Sequence, residues 1–330
     1  MRMGTYATIS RVERKLIVTK VHHNMKFKDL AALIALGALW GGSFLLIRIA
    51  VPAFGPFALI GARIAIAGVL LYVGLALIGR APSGLAGNAR QLLVLGAVNA
   101  AIPFTLIAWA ELRLSASLAA ILNATTPLFG AFLSIVWLGE RITPKRGSGM
   151  LIGVLGVATL VGWSPVAMTG AMTLSIAAML LASASYAFAG VHTKRNLSHL
   201  PSSTLAFGQQ AAAFAWMIVP ALLNPPRLPV PRGAIWSLLG LAVLCTSVAY
   251  LLFFRLIARI GPTRTYTVTY IIPVFGMLWG HLFLGERVAL SMFVGLAMIL
   301  SSMLLVNDVG MPRIVRFGRA SRAPSGDAPC

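Results

Sequence analysis

The chain has 330 residues, 58% of them apolar and only 10% charged, and it carries a formal net charge of +20. Soluble domains carry about 25% charged residues, so together with a mean hydropathy of +0.88 the composition excludes a soluble globular protein. The positive charge raises nucleic acid as a partner, but its placement along the chain fits a lipid bilayer and no nucleic acid.

Residues 1–29 form a basic tail with seven Lys or Arg. Met25 immediately precedes the first apolar run, so translation starts at Met1 or at Met25, and the first 24 residues do not resemble a cleavable signal. Ten apolar runs follow, each long enough for a hydrocarbon core of roughly 30 Å. They are 30–49, 57–78, 91–109, 116–138, 148–163, 171–190, 204–223, 234–254, 265–284 and 288–306, and a basic tail over 307–330 closes the chain. With the N-terminus in the cytoplasm, 21 of the 27 Lys and Arg fall on the cytoplasmic side. The positive-inside rule therefore puts both termini there.

The first run carries Trp40 and Ser43, and the second holds Arg63 about one and a half turns from its external end. Arg63 is either a snorkelling arginine or a bidentate grip for a carboxylate or phosphate. The third run carries Asn99 and Pro103, and the fourth carries Asn123, Thr125 and Thr126 just before Pro127. Tyr186 lies in the sixth run, and Cys245 and Tyr250 lie in the eighth. Tyr266, Thr269 and Tyr270 precede Pro273 in the ninth, where the four-residue spacing of Tyr266 and Tyr270 predicts a shared helix face.

The chain repeats itself. Pro127-Leu128-Phe129-Gly130 leads to Leu138-Gly139-Glu140-Arg141, and Pro273-Val274-Phe275-Gly276 leads to Leu284-Gly285-Glu286-Arg287. The copies lie 146 residues apart, and the offset also matches Trp40 to Tyr186, Arg48 to Lys194, Arg63 to Gln209 and Gly149 to Gly295. Two halves are expected, 30–163 and 171–306, each with five spans. Because five is odd, the second half is inverted relative to the first.

Pro103, Pro127 and Pro273 are read as kinks that open a central cavity, since proline removes a backbone hydrogen bond. Aromatic and hydroxyl groups gathered before the kinks suit a small organic metabolite. The candidate contacts are Trp40, Ser43, Arg63, Asn99, Asn123, Thr126, Tyr186, Tyr250, Tyr266 and Tyr270. Glu140, Arg141, Glu286 and Arg287 read as structural helix ends, in which each glutamate pairs with its arginine or caps the next helix. Pairs of glycines four residues apart, such as Gly37/Gly41 and Gly276/Gly280, suit close helix contacts.

The acids of the spanning region, Glu111, Glu140 and Glu286, all lie near predicted span ends. Ion-coupled carriers usually place carboxylates mid-membrane, so facilitated export or exchange is expected rather than coupling through a buried acid. No nucleotide, metal or cofactor motif is present.

Trp40-Gly41-Gly42-Ser43-Phe44, Arg63 and the two Pro-x-Phe-Gly…Leu-Gly-Glu-Arg copies resemble EamA-type members of the drug/metabolite transporter superfamily, over roughly residues 28–306. The resemblance implies an all-α polytopic protein of ten transmembrane helices in two inverted five-helix repeats around a central cavity. It implies a carrier, not an enzyme, in the bacterial inner membrane. That carrier moves a small metabolite, often exporting an amino acid or a related compound by alternating access, as a monomer or a dimer. A passive channel and an integral membrane enzyme are the alternatives. In the second half, Tyr186-Ala187-Phe188-Ala189 departs from the Trp-Gly-Gly-Ser of the first.

Overall fold

A computed structural model of the chain describes residues 26–139, 141–163 and 169–306. The proposed start at Met25, nearly all of both basic tails and Glu140 lie outside them. All regular structure among the described residues is helical. Among the described residues, six helical stretches are long and apolar enough to cross a membrane, and Val268–Leu284 and Leu290–Val306 are shorter apolar helices.

Helix α1 spans Phe27–Leu77, 51 residues. At about 1.5 Å per residue it would be more than twice the thickness of a bilayer core. The chain is broken at Gly55, whose φ of 70° and ψ of 162° suit only a residue without Cβ, with Pro52 and Pro56 on either side. The two arms run in opposite directions. The first descends along residues 240–253, with Trp40 against Tyr250 and Leu46 against Gly240. The second climbs back, with Arg63 against Thr246 and Gly74 against Leu251.

Helix α2 (Ala89–Gly96), a π-helical stretch (Ala97–Ala101) and α3 (Ile102–Ala110) form the next continuous rod. Then come α4 (Ala116–Asn123), α5 (Thr126–Leu138), α6 (Pro144–Gly162), α7 (Gly170–Asn196) and α8 (Ser202–Leu223). A second rod joins α9 (Arg232–Ala242), a π stretch (Val243–Val248) and α10 (Ala249–Ile260). The chain closes with α11 (Pro262–Thr265), α12 (Val268–Leu284) and α13 (Leu290–Val306).

Local irregularities recur at the sequence offset. The π stretches begin at Ala97 and Val243, and the left-handed caps Gly139 and Gly285 end α5 and α12. Helix α6 packs antiparallel on α13, with Gly149 against Leu305 and Gly156 against Met298. A Cβ on Gly41 would come within 2.8 Å of the Gly276 backbone nitrogen, so small residues set this contact between α1 and α12. The main core is aliphatic and joins α1, α3, α4, α7 and α13 through residues such as Ile60, Ile64, Ile121, Met179 and Ile299.

The prolines act differently from expectation. Pro127 is the second residue of α5, after a break at Ala124–Thr125, and its missing N–H falls where the first turn has no partner to lose. Pro103 is likewise the second residue of α3, directly after the π stretch. Pro273 lies inside α12, which runs through it, and the break in that half comes earlier, at Tyr266–Thr267. The expected kinks are therefore not symmetric about the prolines.

Candidate functional site

A π turn bonds i to i+5, which widens the helix and releases a carbonyl. In the second rod the hydroxyls of Thr246 and Ser247 satisfy this need by donating to Leu241 O at 2.8 Å and Ala242 O at 2.9 Å. The same turn aims Thr246 inward, where its oxygen accepts from Arg63 Nε at 3.0 Å. The first rod's π stretch presents Asn99, whose Nδ2 donates to Gln209 Oε1 at 2.6 Å. The Tyr250 hydroxyl meets the Gln209 amide in turn.

Arg63 is the centre of this cluster and is only 4% exposed. Its guanidinium carbon lies 4.1 Å from the centre of the Phe104 ring. The cation–π contact and the Thr246 bond replace part of the lost hydration. Tyr186, Tyr250 and Cys245 are close enough to interact electrostatically with it. Tyr186 meets Phe104 edge-on at 6.3 Å, and Trp40 meets Tyr250 edge-on at 6.3 Å. Among the described residues no carboxylate forms an ion pair with Arg63. The site therefore offers a buried cation, two amides and an aromatic wall. Such a set can hold a small molecule with an acidic group and an apolar part.

Four repeat-related pairs build this cluster: Trp40 and Tyr186, Arg63 and Gln209, Asn99 and Cys245, Phe104 and Tyr250. Of the residues singled out in the sequence, Trp40, Arg63, Asn99, Tyr186 and Tyr250 come together. Thr246 and Phe104 were missed. Phe104 was within reach of the repeat offset as the mate of Tyr250, but nothing local marked Thr246 as a partner of an arginine 183 residues away.

The remaining candidates lie elsewhere. The Ser43 hydroxyl donates to the Trp40 carbonyl of its own helix at 2.6 Å, and the Thr126 hydroxyl donates across the break between α4 and α5 to the Asn123 carbonyl at 2.8 Å. The Asn123 Oδ1 is buried and accepts no hydrogen bond. Tyr270 packs against the main core and donates to Met303 O at 3.2 Å. Tyr266 is 57% exposed and lies against Phe253. The two tyrosines thus contact different helices and do not share a face, because a turn at Tyr266–Thr267 separates Tyr266 from α12.

Glu286 does serve a helix end, though not the one expected. Its carboxylate accepts from the backbone N–H of Ala116 at 2.7 Å and of Ser117 at 2.9 Å, and from the Ser117 hydroxyl at 2.5 Å. It therefore caps α4 in the first half rather than the helix that follows it. Arg141 and Arg287 are exposed.

The acid at the end of α3 lies at a helix end, as the sequence suggested, but it is buried there. Glu111 is 0% exposed, and neither carboxylate oxygen has a hydrogen-bond partner. The Arg48 guanidinium bonds to the Glu111 backbone carbonyl instead. Arg48, Arg113 and Glu286 line an open cleft of about 550 Å³ beside it.

The sequence pattern described as the EamA-like transporter family matches residues 28–162 and 173–308. Protein PecM of Dickeya dadantii (strain 3937) is 26% identical over 292 residues, 87% of this chain and 94% of that protein. A probable terminal-alkyne amino-acid exporter of Streptantibioticus cattleyicolor is 24% identical over 283 residues, 85% and 93% of the two chains. The uncharacterized inner membrane transporter YedA of Escherichia coli (strain K12) is 26% identical over 290 residues, 86% and 92% of the two chains. One solved crystal structure superposes with a TM-score of 0.60 at 18% identity, over 84% of this chain and 96% of that one, a likeness of fold.

Proposed function

The chain belongs to the EamA-like transporter family, and on that premise we propose that it is a carrier that exports an amino acid or a related small metabolite. It spans a bacterial inner membrane with ten helices, both termini cytoplasmic, as two inverted five-helix halves. Cargo sits between the halves at Arg63, and alternating access moves it as the halves rock. One observation carries this reading: side chains at matched positions of the two halves converge on a single buried polar cluster. Exchange of inward and outward states by near-symmetric halves requires a shared site of that kind.

The cluster also supports the cargo class. Arg63 is a buried fork of donors suited to a carboxylate, and Trp40, Phe104, Tyr186 and Tyr250 give an apolar side chain a wall to pack on. The similarity to an amino-acid exporter points the same way. Within the site Arg63 grips the acid, Asn99 and Gln209 bind polar groups, and the aromatic residues set the size of the apolar part.

The test is counterflow in proteoliposomes loaded with unlabelled amino acids, one at a time. A carrier accumulates the labelled species transiently above equilibrium and saturates. A linear, non-saturating flux would reject the carrier in favour of a channel, and chemical conversion of the probe without net movement would make the protein an enzyme. A tolerance screen with toxic amino-acid analogues, read as growth of expressing cells, narrows the cargo.

A further inference from the structure

A carboxylate removed from water needs donors or a counter-charge, and one that has neither is stable only as the neutral acid. Glu111 is fully buried, and its two carboxyl oxygens accept no hydrogen bond. The charges that reach it are those of Arg48, Arg63 and Glu286. None of them satisfies it: Arg48 bonds the residue's backbone carbonyl, Glu286 is held by the N-terminus of α4, and Arg63 bonds Thr246. The neighbours of Glu111 in the chain, Leu112 and Arg113, line the cleft of about 550 Å³, and Arg63 of the central cluster is among the charges that reach Glu111.

We infer that Glu111 is a proton-binding site that is loaded in the conformation described, and that its proton is exchanged with water in the adjacent cleft as the carrier changes conformation. The inference rests on the carrier reading only for its use in transport. In the step itself the Glu111 carboxylic acid loses H⁺ to cleft water, leaving a carboxylate. The Arg48 guanidinium, already at the Glu111 backbone, turns from the carbonyl to the new charge. No other group changes its bonding. The conformation that holds the extra proton is favoured at low pH and gives way as pH rises. Raising the pH therefore favours the conformation in which cleft water reaches Glu111. This gives the carrier a link to the proton gradient, which the position of its acids along the sequence did not suggest.

Two measurements test this without any cargo. Infrared spectra of the purified protein in lipid, with its glutamates labelled with carbon-13, should contain the C=O stretch of a protonated glutamic acid at neutral pH. Glu111→Gln should remove that band. Absence of the band in the unaltered protein overturns the proposal whether or not the variant folds. The second is alkylation of Ala110→Cys, a position fully buried in the conformation described, by a membrane-impermeant maleimide, in a Cys330→Ser background. Its rate, divided by the rate of the same cysteine in a Glu111→Gln protein to remove the thiol's own ionisation, should rise about tenfold between roughly pH 6 and pH 8. Linkage to one proton allows up to about a hundredfold over that range. Glu111→Asp should keep the rise, whereas a flat ratio overturns the proposal. If both measurements succeed and counterflow fails, the carrier reading falls alone. If both fail while counterflow persists, Glu111 is structural.

Discussion

Arg63 donates through Nε to the Thr246 hydroxyl at 3.0 Å, although 183 residues separate the two in the chain. The bond holds the guanidinium beside Phe104 through Nε, and in the proposed function its terminal nitrogens are the ones that meet an acidic cargo. Arg63→Lys keeps the charge and loses both the fork and the Nε bond. A charged hydrogen bond is worth about 1.5–3 kcal/mol, so the half-saturating concentration for an acidic amino-acid probe in counterflow should rise roughly 10- to 100-fold. An unchanged value would reduce Arg63 to a structural residue.

The Asn99–Gln209 bond joins the two halves at 2.6 Å. Gln209→Leu leaves the Asn99 amide without its acceptor, which should cost about 1–3 kcal/mol. Adding Asn99→Leu should recover part of that cost, because the pair is then removed together. Thermal unfolding of the four proteins in detergent gives the coupling.

Glu286 adds a second cap to α4, beside Ser115 of its own half, whose hydroxyl oxygen accepts from the Leu118 N–H at 3.2 Å. Glu286→Ala strips acceptors from two backbone N–H groups and the Ser117 hydroxyl. The expected loss is about 1–2 kcal/mol from the cap and up to about 1 kcal/mol from the helix dipole. It should appear as a lower melting temperature, with the half-saturating concentration unchanged in protein that remains folded.

Gly280 leaves room for that carboxylate. A Cβ there would lie 2.5 Å from Glu286 Oε2, so Gly280→Ala should displace the carboxylate from α4. The melting temperatures of Gly280→Ala, Glu286→Ala and the double variant should be non-additive, since both substitutions break the same contact. Strict additivity would show that the glycine serves another purpose.

Tyr270 separates the sequence reading from the structural one. Its position before Pro273 suggested cargo contact, but its hydroxyl donates to Met303 O. Tyr270→Phe should lower stability by about 1 kcal/mol and leave counterflow affinity within twofold of the parent. A large change in affinity would return Tyr270 to the site.

Membrane residence, the family and the 146-residue register were legible because each depends on residue type or spacing along the chain. Apolar runs match bilayer thickness wherever they fold, and a duplicated motif keeps its register regardless of contacts. Trp40, Arg63, Asn99, Tyr186 and Tyr250 were legible as candidates for the same reason: polar and aromatic side chains inside apolar helices need a partner or a function. What only the tertiary structure decided is who those partners are. Thr246 receives Arg63 because a π turn re-aims one hydroxyl. Glu286 caps a helix 170 residues away because close packing at Gly280 brings it there. Glu111 is buried at a helix end, and its place in the chain marked only the helix end. Burial and hydrogen bonding are properties of space between helices, and the order of residues along one helix does not contain them.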